Sequence, residues 1–313
     1  MKILVTGSSG HLGEALMRSL GGGPHEAVGA DLRPSPFTQL VGSIADRAFA
    51  VRCLQGIDAV MHSATLHKPH VATHSRQAFV DTNITGTLNL LEEAADQGAK
   101  AFVFTSTTST YGAALTPPPG EPAAWITEDV APVPKNIYGV TKCAAEDLCQ
   151  LFWRLRGLPT VVLRTSRFFP EGDDGEAQAS GYADANLKVN ELLHRRVDVQ
   201  DVVDAHRLAI EQAQSIGHGR YVISATAPFG RHEAAELRRD LASVVRRRVP
   251  DFEAEYQRRG WRLPQGIDRV YVNDKARREL GWSPRHDFAS AIARLQAGED
   301  YRSPLARAIG SKG

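Results

Sequence analysis

Short apolar runs alternate with helical patterns through the first two thirds of the chain. The runs are almost continuously apolar, as expected for strands of a parallel sheet that is covered by helices on both faces. Strands are predicted at 2–6, 27–31, 58–62, 101–106 and 159–165. Helices are predicted near 11–20, 47–54, 75–97, 138–156 and 201–214. This alternation, with short connections, predicts an α/β fold built on a doubly wound parallel sheet.

Two stretches interrupt the alternation and predict a second, smaller lobe. Residues 116–136 are rich in proline, so they are expected to form an irregular connection that is either functional or a plain surface loop. The second stretch, 168–196, opens with the polar, glycine-rich "FFPEGDDGEAQASG". We expect the lobe to lie over the strand ends, where open α/β sheets bind ligands. The predicted division is a main domain of residues 1–167 plus about 195–230, and a substrate-binding lobe of 168–194 and 231–313.

Composition and charge exclude several classes of protein. The chain has 313 residues and a net charge of +1, which does not favour a nucleic-acid or membrane partner. No apolar run approaches the length of about 18 residues that a membrane span needs, and the start "MKILVTG" predicts a strand rather than a signal peptide. Cys53, Cys143 and Cys149 form no CxxC motif, which argues against disulfides and zinc. A cytoplasmic enzyme that acts on a small molecule is expected.

A glycine-rich loop, "VTGSSGHLG", joins the first predicted strand to the first predicted helix. This context is typical of dinucleotide binding, because the helix start offers free N–H groups and a partial positive charge to a pyrophosphate. Asp31, 18 residues after the last glycine of the loop, is placed to accept a hydrogen bond from the adenosine ribose. The cofactor is therefore expected to be NAD, bound by a Rossmann domain. The loop residues expected to contact it are Gly7, Gly10, His11, Leu12 and Gly13.

Tyr138 and Lys142 lie four residues apart in "NIYGVTK", in a predicted helix. Residues at this spacing share one helix face, so both side chains can point into one site. A tyrosine with a pKa of about 10 is a poor base near neutrality, and a nearby lysine cation stabilises its phenolate. Such a pair arises by chance in many sequences, but here it follows a glycine loop and a Ser/Thr-rich strand end. We therefore predict that Tyr138 and Lys142 are catalytic.

The TGxxGxxG form of the loop, with the YxxxK pair and the chain length, resembles the extended short-chain dehydrogenase/reductases, in the NAD-dependent epimerase/dehydratase family. "TSTTSTYG" resembles the strand end of this family that carries the catalytic Ser or Thr, which implies that Thr107 orients the reacting oxygen. The resemblance also implies a homodimer formed through helices near 85–97 and 138–156. The further cofactor contacts that it implies are Ser43, Ile44, Ser63, Ala64, Thr65 and Asn83.

Several positions depart from the family pattern and bear on the substrate. Thr108 and Ser109 follow Thr107 where sugar-nucleotide 4,6-dehydratases carry Asp-Glu, so that reaction is not expected. Arg167 replaces an Asn that lies near the nucleotide; it is predicted either to grip a substrate anion or to pair with an acid such as Glu171 or Asp173. His194 occupies a position that is Arg in the family. The expected substrate contacts are His67, Lys68, Thr108, Ser109, Arg167 and Arg262.

The expected function is oxidation of a secondary alcohol of a sugar, sugar nucleotide or related polyol by hydride transfer to NAD. Re-reduction of the ketone from its other face would make the protein an epimerase, whereas release of NADH would make it a dehydrogenase. A catalytically silent protein that senses the cofactor is the alternative from another class. His67, His70 and His74 lie close together in sequence, but no acid or cysteine has ligand spacing to them, so no metal is expected.

Overall fold

Seven parallel strands form the main sheet of the computed structural model, which describes residues 1–170 and 181–311. Their order is β3-β2-β1-β4-β5-β7-β8. The chain runs outward from β1 to β3 and returns to β4 beside β1, so the strand order reverses between β1 and β4, where ligands of such sheets bind. The strands are β1 (Lys2–Thr6), β2 (Glu26–Asp31), β3 (Leu40–Val41), β4 (Ala59–His62), β5 (Ala101–Thr107), β7 (Thr160–Thr165) and β8 (His218–Ile223).

Helices cover both faces of this sheet, as the apolar strands require. One face packs against α1 (His11–Leu20) and α7 (Val199–Ile216) around a core that includes Val5, Val103 and Leu163. The other face packs against α2 (Arg47–Leu54), α4 (Gly86–Asp96) and α5 (Ile137–Arg156). The remaining helices are α3 (Arg76–Phe79), α6 (Asp184–Leu192), α8 (Ala234–Arg239), α9 (Leu241–Arg248), α10 (Phe252–Arg259), α11 (Asp274–Glu279), α12 (Phe288–Gln296) and α13 (Pro304–Ile309).

A separate apolar cluster lies in the part of the chain predicted to form the smaller lobe. It includes Leu237, Val245 and Phe252 from the helices that follow β8, and Phe288 from α12. The two-stranded sheet of β6 (Ala124–Ile126) and β9 (Arg269–Tyr271) packs against this cluster through Trp125 and Val270. By contrast, α13 and the buried Trp282 pack into the core of the main sheet. The proposed division into a main domain and a lobe stays a prediction.

The predicted doubly wound α/β fold is confirmed, and the structure corrects some of its details. The predicted helix 75–97 is three segments, α3, a π-helical segment Val80–Thr85 and α4. The proline-rich connection 116–136 contains strand β6, whose pairing partner β9 lies far along the chain and is invisible to local patterns. Strands β3 and β8 were also missed; β3 is only two residues long. In the described part of the chain, no helix is long and apolar enough to cross a membrane.

Candidate active site

The glycine loop forms a tight turn between β1 and α1. Gly7 has a φ of +76°, and its N–H donates to the carbonyl of Ala30 at 2.8 Å. A Cβ on Gly7 would lie 2.8 Å from the backbone nitrogen of Ala64. A Cβ on Gly13 would lie 1.9 Å from the carbonyl oxygen of Gly7, so helix and turn pack at backbone distance. These glycines leave the cradle that a pyrophosphate needs, and Gly10 caps α1 without a side-chain hydrogen bond.

Asp31 lies at the end of β2, directly beside the glycine loop. Its Oδ2 accepts the N–H of Ser9 at 3.0 Å, and its Oδ1 accepts the N–H of Arg33 at 2.9 Å. Each carboxylate oxygen has a second lone pair, which is available to a ribose hydroxyl. The arrangement fits the adenosine ribose of NAD, as the sequence spacing predicts.

The end of β4 is tied to the rest of the predicted cofactor site through Asn83. The Oδ1 of Asn83 accepts from the hydroxyl of Thr65 at 3.0 Å and from the N–H of Leu66 at 2.8 Å, and its Nδ2 donates to Thr141 of helix α5 at 3.0 Å. Ser63 donates its hydroxyl to the carbonyl of Thr6. Asn83 therefore joins the β4 loop to the helix that carries Tyr138 and Lys142.

The predicted adenine contacts, Ser43 and Ile44, and the predicted contact Ala64 all interact with neighbouring parts of the protein in the structure. Ile44 is 6% exposed and packs into the core between β2 and α4, where Gly86 leaves room for its side chain. The hydroxyl of Ser43 accepts the N–H of Ala45. The N–H of Ala64 donates to Thr6, which places Ala64 against the glycine turn.

Tyr138 and Thr107 meet where β5 ends and α5 begins. Tyr138 is 8% exposed, and its phenol is hydrogen-bonded to Thr107. Burial raises the pKa of Tyr138 to about 12, and the hydrogen bond with Thr107 opposes this rise. The sequence analysis predicted a lowered pKa for this tyrosine. In the structure, the effect of burial on the pKa of Tyr138 is larger than the opposing effect of Thr107.

Lys142 lies one helical turn beyond Tyr138 and is almost completely buried. Its Nζ donates to the carbonyl of Thr105 at 2.6 Å and lies 4.0 Å from the centre of the Phe104 ring. Burial lowers the pKa of Lys142 to about 7, and the nearby Glu146 carboxylate opposes that change. Lys142 is therefore charged only up to about neutral pH. The structure thus places the three predicted catalytic residues, Tyr138, Lys142 and Thr107, around one strand end.

The residues predicted to contact substrate divide into two groups. Thr108 and Ser109 continue directly from Thr107, and the N–H of Ser109 donates to the Thr107 hydroxyl at 3.1 Å. His67 stacks on Phe169, with ring centres 5.4 Å apart and planes 13° apart. This contact joins the loops after β4 and β7 across the crevice, and the exposed Lys68 follows His67.

Arg167 and Arg262 are held by neighbouring groups of the protein. The guanidinium of Arg167 bonds Glu191 of α6 at 2.6 Å. The sequence analysis predicted that Arg167 would either bind a substrate anion or pair with an acid such as Glu171 or Asp173. In the structure it pairs with another acid, Glu191; Glu171 and Asp173 lie outside the described residues. Arg262 stacks on Tyr182, with its guanidinium carbon 4.8 Å from the ring centre. Whether either arginine contacts substrate stays a prediction.

A cavity of about 340 Å³ lies beside this site rather than at Tyr138. Its lining includes His11 and Phe168 from the glycine-loop side, and Lys188 and Trp261 from the lobe. None of the three predicted catalytic residues lines it, so this cavity does not coincide with the predicted site of chemistry.

Sequence reasoning missed two buried polar residues near the site. Ser166 follows β7, is 3% exposed, and its hydroxyl has no hydrogen-bond partner in the described part of the chain. Glu146 is 1% exposed and lies one turn beyond Lys142. The repeated spacing of four residues from Tyr138 to Lys142 to Glu146 was a signal that could have identified Glu146.

The fold and this strand-end site define a short-chain dehydrogenase/reductase. Residues 3–224 match the model of the NAD dependent epimerase/dehydratase family. The chain therefore belongs to that family and is an NAD-dependent enzyme, which confirms the predicted resemblance and cofactor. No cluster of side chains that could hold a metal ion occurs in residues 1–170 and 181–311.

Known proteins of this family resemble the chain over almost its whole length. A UDP-glucose 4-epimerase of Rhizobium meliloti is 27% identical over 323 residues, which cover 92% of this chain and 94% of the relative. A dTDP-glucose 4,6-dehydratase of Streptomyces griseus is 30% identical over 327 residues, with coverage of 93% and 92%. The crystal structure of a UDP-glucose 4-epimerase from Thermotoga maritima, solved with UDP-glucose, aligns with a TM-score of 0.65 at 22% identity and covers 95% of this chain and 99% of that one. This structural likeness supports the fold.

Proposed function

We propose that the protein is an epimerase that oxidises a secondary alcohol of a nucleotide-linked sugar and reduces the resulting ketone from its other face. The observation that carries the proposal is that the buried Tyr138 and Lys142 lie one helical turn apart on α5, where Lys142 Nζ donates to the Thr105 carbonyl at the strand end that carries Thr107. The UDP-glucose 4-epimerase of Rhizobium meliloti, which aligns over 92% of the chain, supports the choice of a nucleotide-linked sugar.

Tyr138 takes the proton of the substrate hydroxyl, while Thr107 donates a hydrogen bond that orients the reacting oxygen. Lowering the pKa of Tyr138 from about 12 to about 7 requires about 7 kcal/mol of stabilisation of the phenolate. A cation about 4 Å away in an effective dielectric of about 20 supplies about 4 kcal/mol. Lys142 alone would therefore not be enough, and a second source is needed. When bound, NAD accepts and returns the hydride and adds the positive charge of its oxidised ring.

The 4,6-dehydratase reaction is less compatible with the residues around Thr107. Elimination of a hydroxyl requires an acid to protonate the leaving oxygen. Thr108 and Ser109 stand directly after Thr107, and neither is acidic near neutral pH. The nearby Glu146 carboxylate is buried in an ion pair with Arg164. We therefore favour epimerisation, although the dehydratase of Streptomyces griseus is also similar over the whole chain.

A net dehydrogenase that acts on a sugar without a nucleotide is the second candidate. It is favoured by the pairing of Arg167 with Glu191, at a position where the family resemblance implies a nucleotide contact. It is also favoured by His194, which stands at a position that is arginine in the family and is half-buried. Its pKa is lowered well below the usual value, mainly by desolvation and by the nearby Arg195. A neutral imidazole is a weak ligand for a diphosphate.

One experiment separates these candidates. The purified protein is analysed by mass spectrometry for bound NAD and incubated with UDP-glucose or UDP-galactose without added cofactor. In a parallel reaction it is incubated with free glucose or galactose and added NAD. The epimerase proposal predicts formation of the other UDP-hexose with no accumulation of NADH. Accumulation of NADH with a free sugar would instead identify a dehydrogenase. Bound NAD with no turnover of any sugar would favour a cofactor-sensing protein.

The carboxylate of Asp31 is proposed to hold the adenosine ribose. The Asp31→Ala variant is expected to bind NAD about ten to a hundred times more weakly, because a hydrogen bond to a charged group contributes about 1.5–3 kcal/mol. It should also lose preference for NAD over NADP, because the negative charge that repels a 2′-phosphate is removed. Isothermal titration with both cofactors measures this. Asp58→Asn is the control, because Asp58 accepts the N–H of Lys2 at the opposite end of the central strands, away from the predicted cofactor site. Unchanged NAD affinity in Asp31→Ala would refute the assignment.

A homodimer, which the family resemblance implies, is a further proposal. Val140, Leu151 and Leu155 lie on one face of α5 and are 50%, 42% and 70% exposed. Light scattering should give twice the chain mass of 34.1 kDa for the wild type and the single mass for Leu151→Glu combined with Leu155→Glu. The control Val41→Glu changes an exposed residue at the sheet edge and should stay dimeric. A wild-type protein of single mass would exclude the dimer.

A further inference from the structure

We propose that Glu146 is a positioning residue that holds Lys142 charged and fixes the end of strand β5 for proton transfer by Tyr138. The proposal rests on the proposed function of the Tyr138–Lys142 pair. Three features carry it: the place of Glu146 on α5, its hydrogen bonds and ion pairs with residues of three strands, and its negative charge beside the lysine.

Tyr138, Lys142 and Glu146 follow one another at intervals of four residues, so they lie along one face of α5. This face packs against the sheet, and Glu146 is 1% exposed. A carboxylate is rarely buried so deeply unless it is paired and hydrogen-bonded. The interactions of Glu146 therefore identify what the buried charge holds.

Glu146 contacts the strand end that carries the catalytic threonine. Its Oε1 accepts the hydroxyl of Ser106 at 2.5 Å. Ser106 stands between Thr105, whose carbonyl accepts Lys142 Nζ, and Thr107, which bonds Tyr138. One carboxylate thus fixes the residue that separates the two anchoring points of the catalytic pair.

Two arginines on the neighbouring strands hold the carboxylate from the other side. Arg164 of β7 donates through Nε at 3.0 Å and through Nη2 at 2.7 Å. Arg220 of β8 lies 3.4 Å from the same carboxylate and also pairs with Asp147. Stability alone is a weak reason for this arrangement, because apolar side chains of similar volume often replace a buried ion pair without loss of stability.

The charged and titratable groups that face Lys142 make Glu146 its main source of negative charge. Burial lowers the pKa of Lys142 to about 7, and Glu146 opposes this more than Cys149 does. From β4, His62 approaches Lys142; burial lowers the pKa of His62 to about 3, so it is neutral near pH 7. Burial raises the pKa of both Tyr138 and Cys143, which are therefore also uncharged near neutral pH. Loss of the Glu146 charge should lower the pKa of Lys142, so that the lysine loses its proton at lower pH.

The test is a titration of Lys142 in the NAD-loaded enzyme, followed by NMR of carbon-13-labelled lysine and assigned with Lys142→Met. In Glu146→Gln the pKa of Lys142 is expected to fall by about one pH unit, the size expected for a charge one helical turn away. The turnover number at pH 7 should fall several-fold, and the alkaline limb of its pH profile should shift to lower pH. Glu146→Asp, which keeps the charge, should restore most of both properties.

Glu93→Gln is the matched control, because Glu93 is a buried carboxylate of α4 that bonds only Gln97 among its described hydrogen bonds. It should leave the titration of Lys142 unchanged. If Glu146→Gln does not fold, the double variant with Arg164→Met removes both members of the ion pair. The pKa of Lys142 should then fall less than in the single variant, because loss of the arginine cation opposes the fall. An unchanged pKa of Lys142 in either variant would overturn the proposal. If the pKa of Lys142 shifts in Glu146→Gln but the Tyr138→Phe variant has normal turnover, the proposed function is rejected. The effect of Glu146 on Lys142 would then still stand.

Discussion

Tyr138→Phe is expected to lower the turnover number at least about a hundredfold, the usual scale for loss of a general acid–base group. Phenylalanine fills the same buried space and lacks only the oxygen that bonds Thr107. NAD affinity should not change, because the glycine loop and Asp31 keep their contacts. Steady-state kinetics on the best nucleotide sugar and calorimetric titration of NAD measure the two quantities separately.

Tyr221→Phe is the matched control for this variant. Tyr221 of strand β8 is also a buried tyrosine, 1% exposed, and its hydroxyl donates to Glu279 of α11 at 3.1 Å. Its loss should affect stability without lowering turnover. Equal losses of turnover in both variants would indicate a general effect of removing a buried hydroxyl, and near-normal turnover of Tyr138→Phe would remove Tyr138 from the mechanism.

Much of the fold could be predicted because its central strands are buried on both faces. The run from Ala101 to Thr107 is buried throughout, and its first four residues, Ala101 to Phe104, are all apolar, as burial on both faces requires. Strands β6 and β9 could not be predicted in this way, because each has three residues and is defined by pairing with the other. Short elements of this kind depend on contacts between distant segments, which a local pattern does not contain.

The site shows the same division between local and distant information. The spacing of Tyr138 and Lys142 is local, because helix geometry places them on one face whatever surrounds the helix. The pKa of Tyr138 is not local: it is raised to about 12 by burial under segments that are remote in sequence. The stacking of His67 on Phe169 likewise joins two loops that follow different strands. Residue types therefore indicated the chemistry, while the electrostatics required the folded structure.

Gly13→Ala is expected to disrupt both folding and NAD binding. The added methyl group would lie 1.9 Å from the carbonyl oxygen of Gly7 and 2.5 Å from its carbon. These are backbone atoms and cannot rotate away, so the turn or α1 must move. Overpacking of this severity costs about 3 kcal/mol or more, which would lower the melting temperature by several degrees. Movement of the helix start should weaken NAD binding at least about tenfold, because the phosphates bind to that end of the helix.

Gly22→Ala provides the control for the Gly13 variant, in the turn that follows the same helix. A Cβ on Gly22 would meet no atom within 4 Å, and its φ lies outside the positive range, so alanine fits without strain. Its melting temperature and NAD affinity should match or slightly exceed those of the wild type. Calorimetry and NAD titration on both variants measure the contrast. Wild-type NAD affinity in Gly13→Ala would mean that close packing of α1 against the glycine turn is not what forms the cofactor site, whereas loss of affinity only in Gly13→Ala ties NAD binding to that contact.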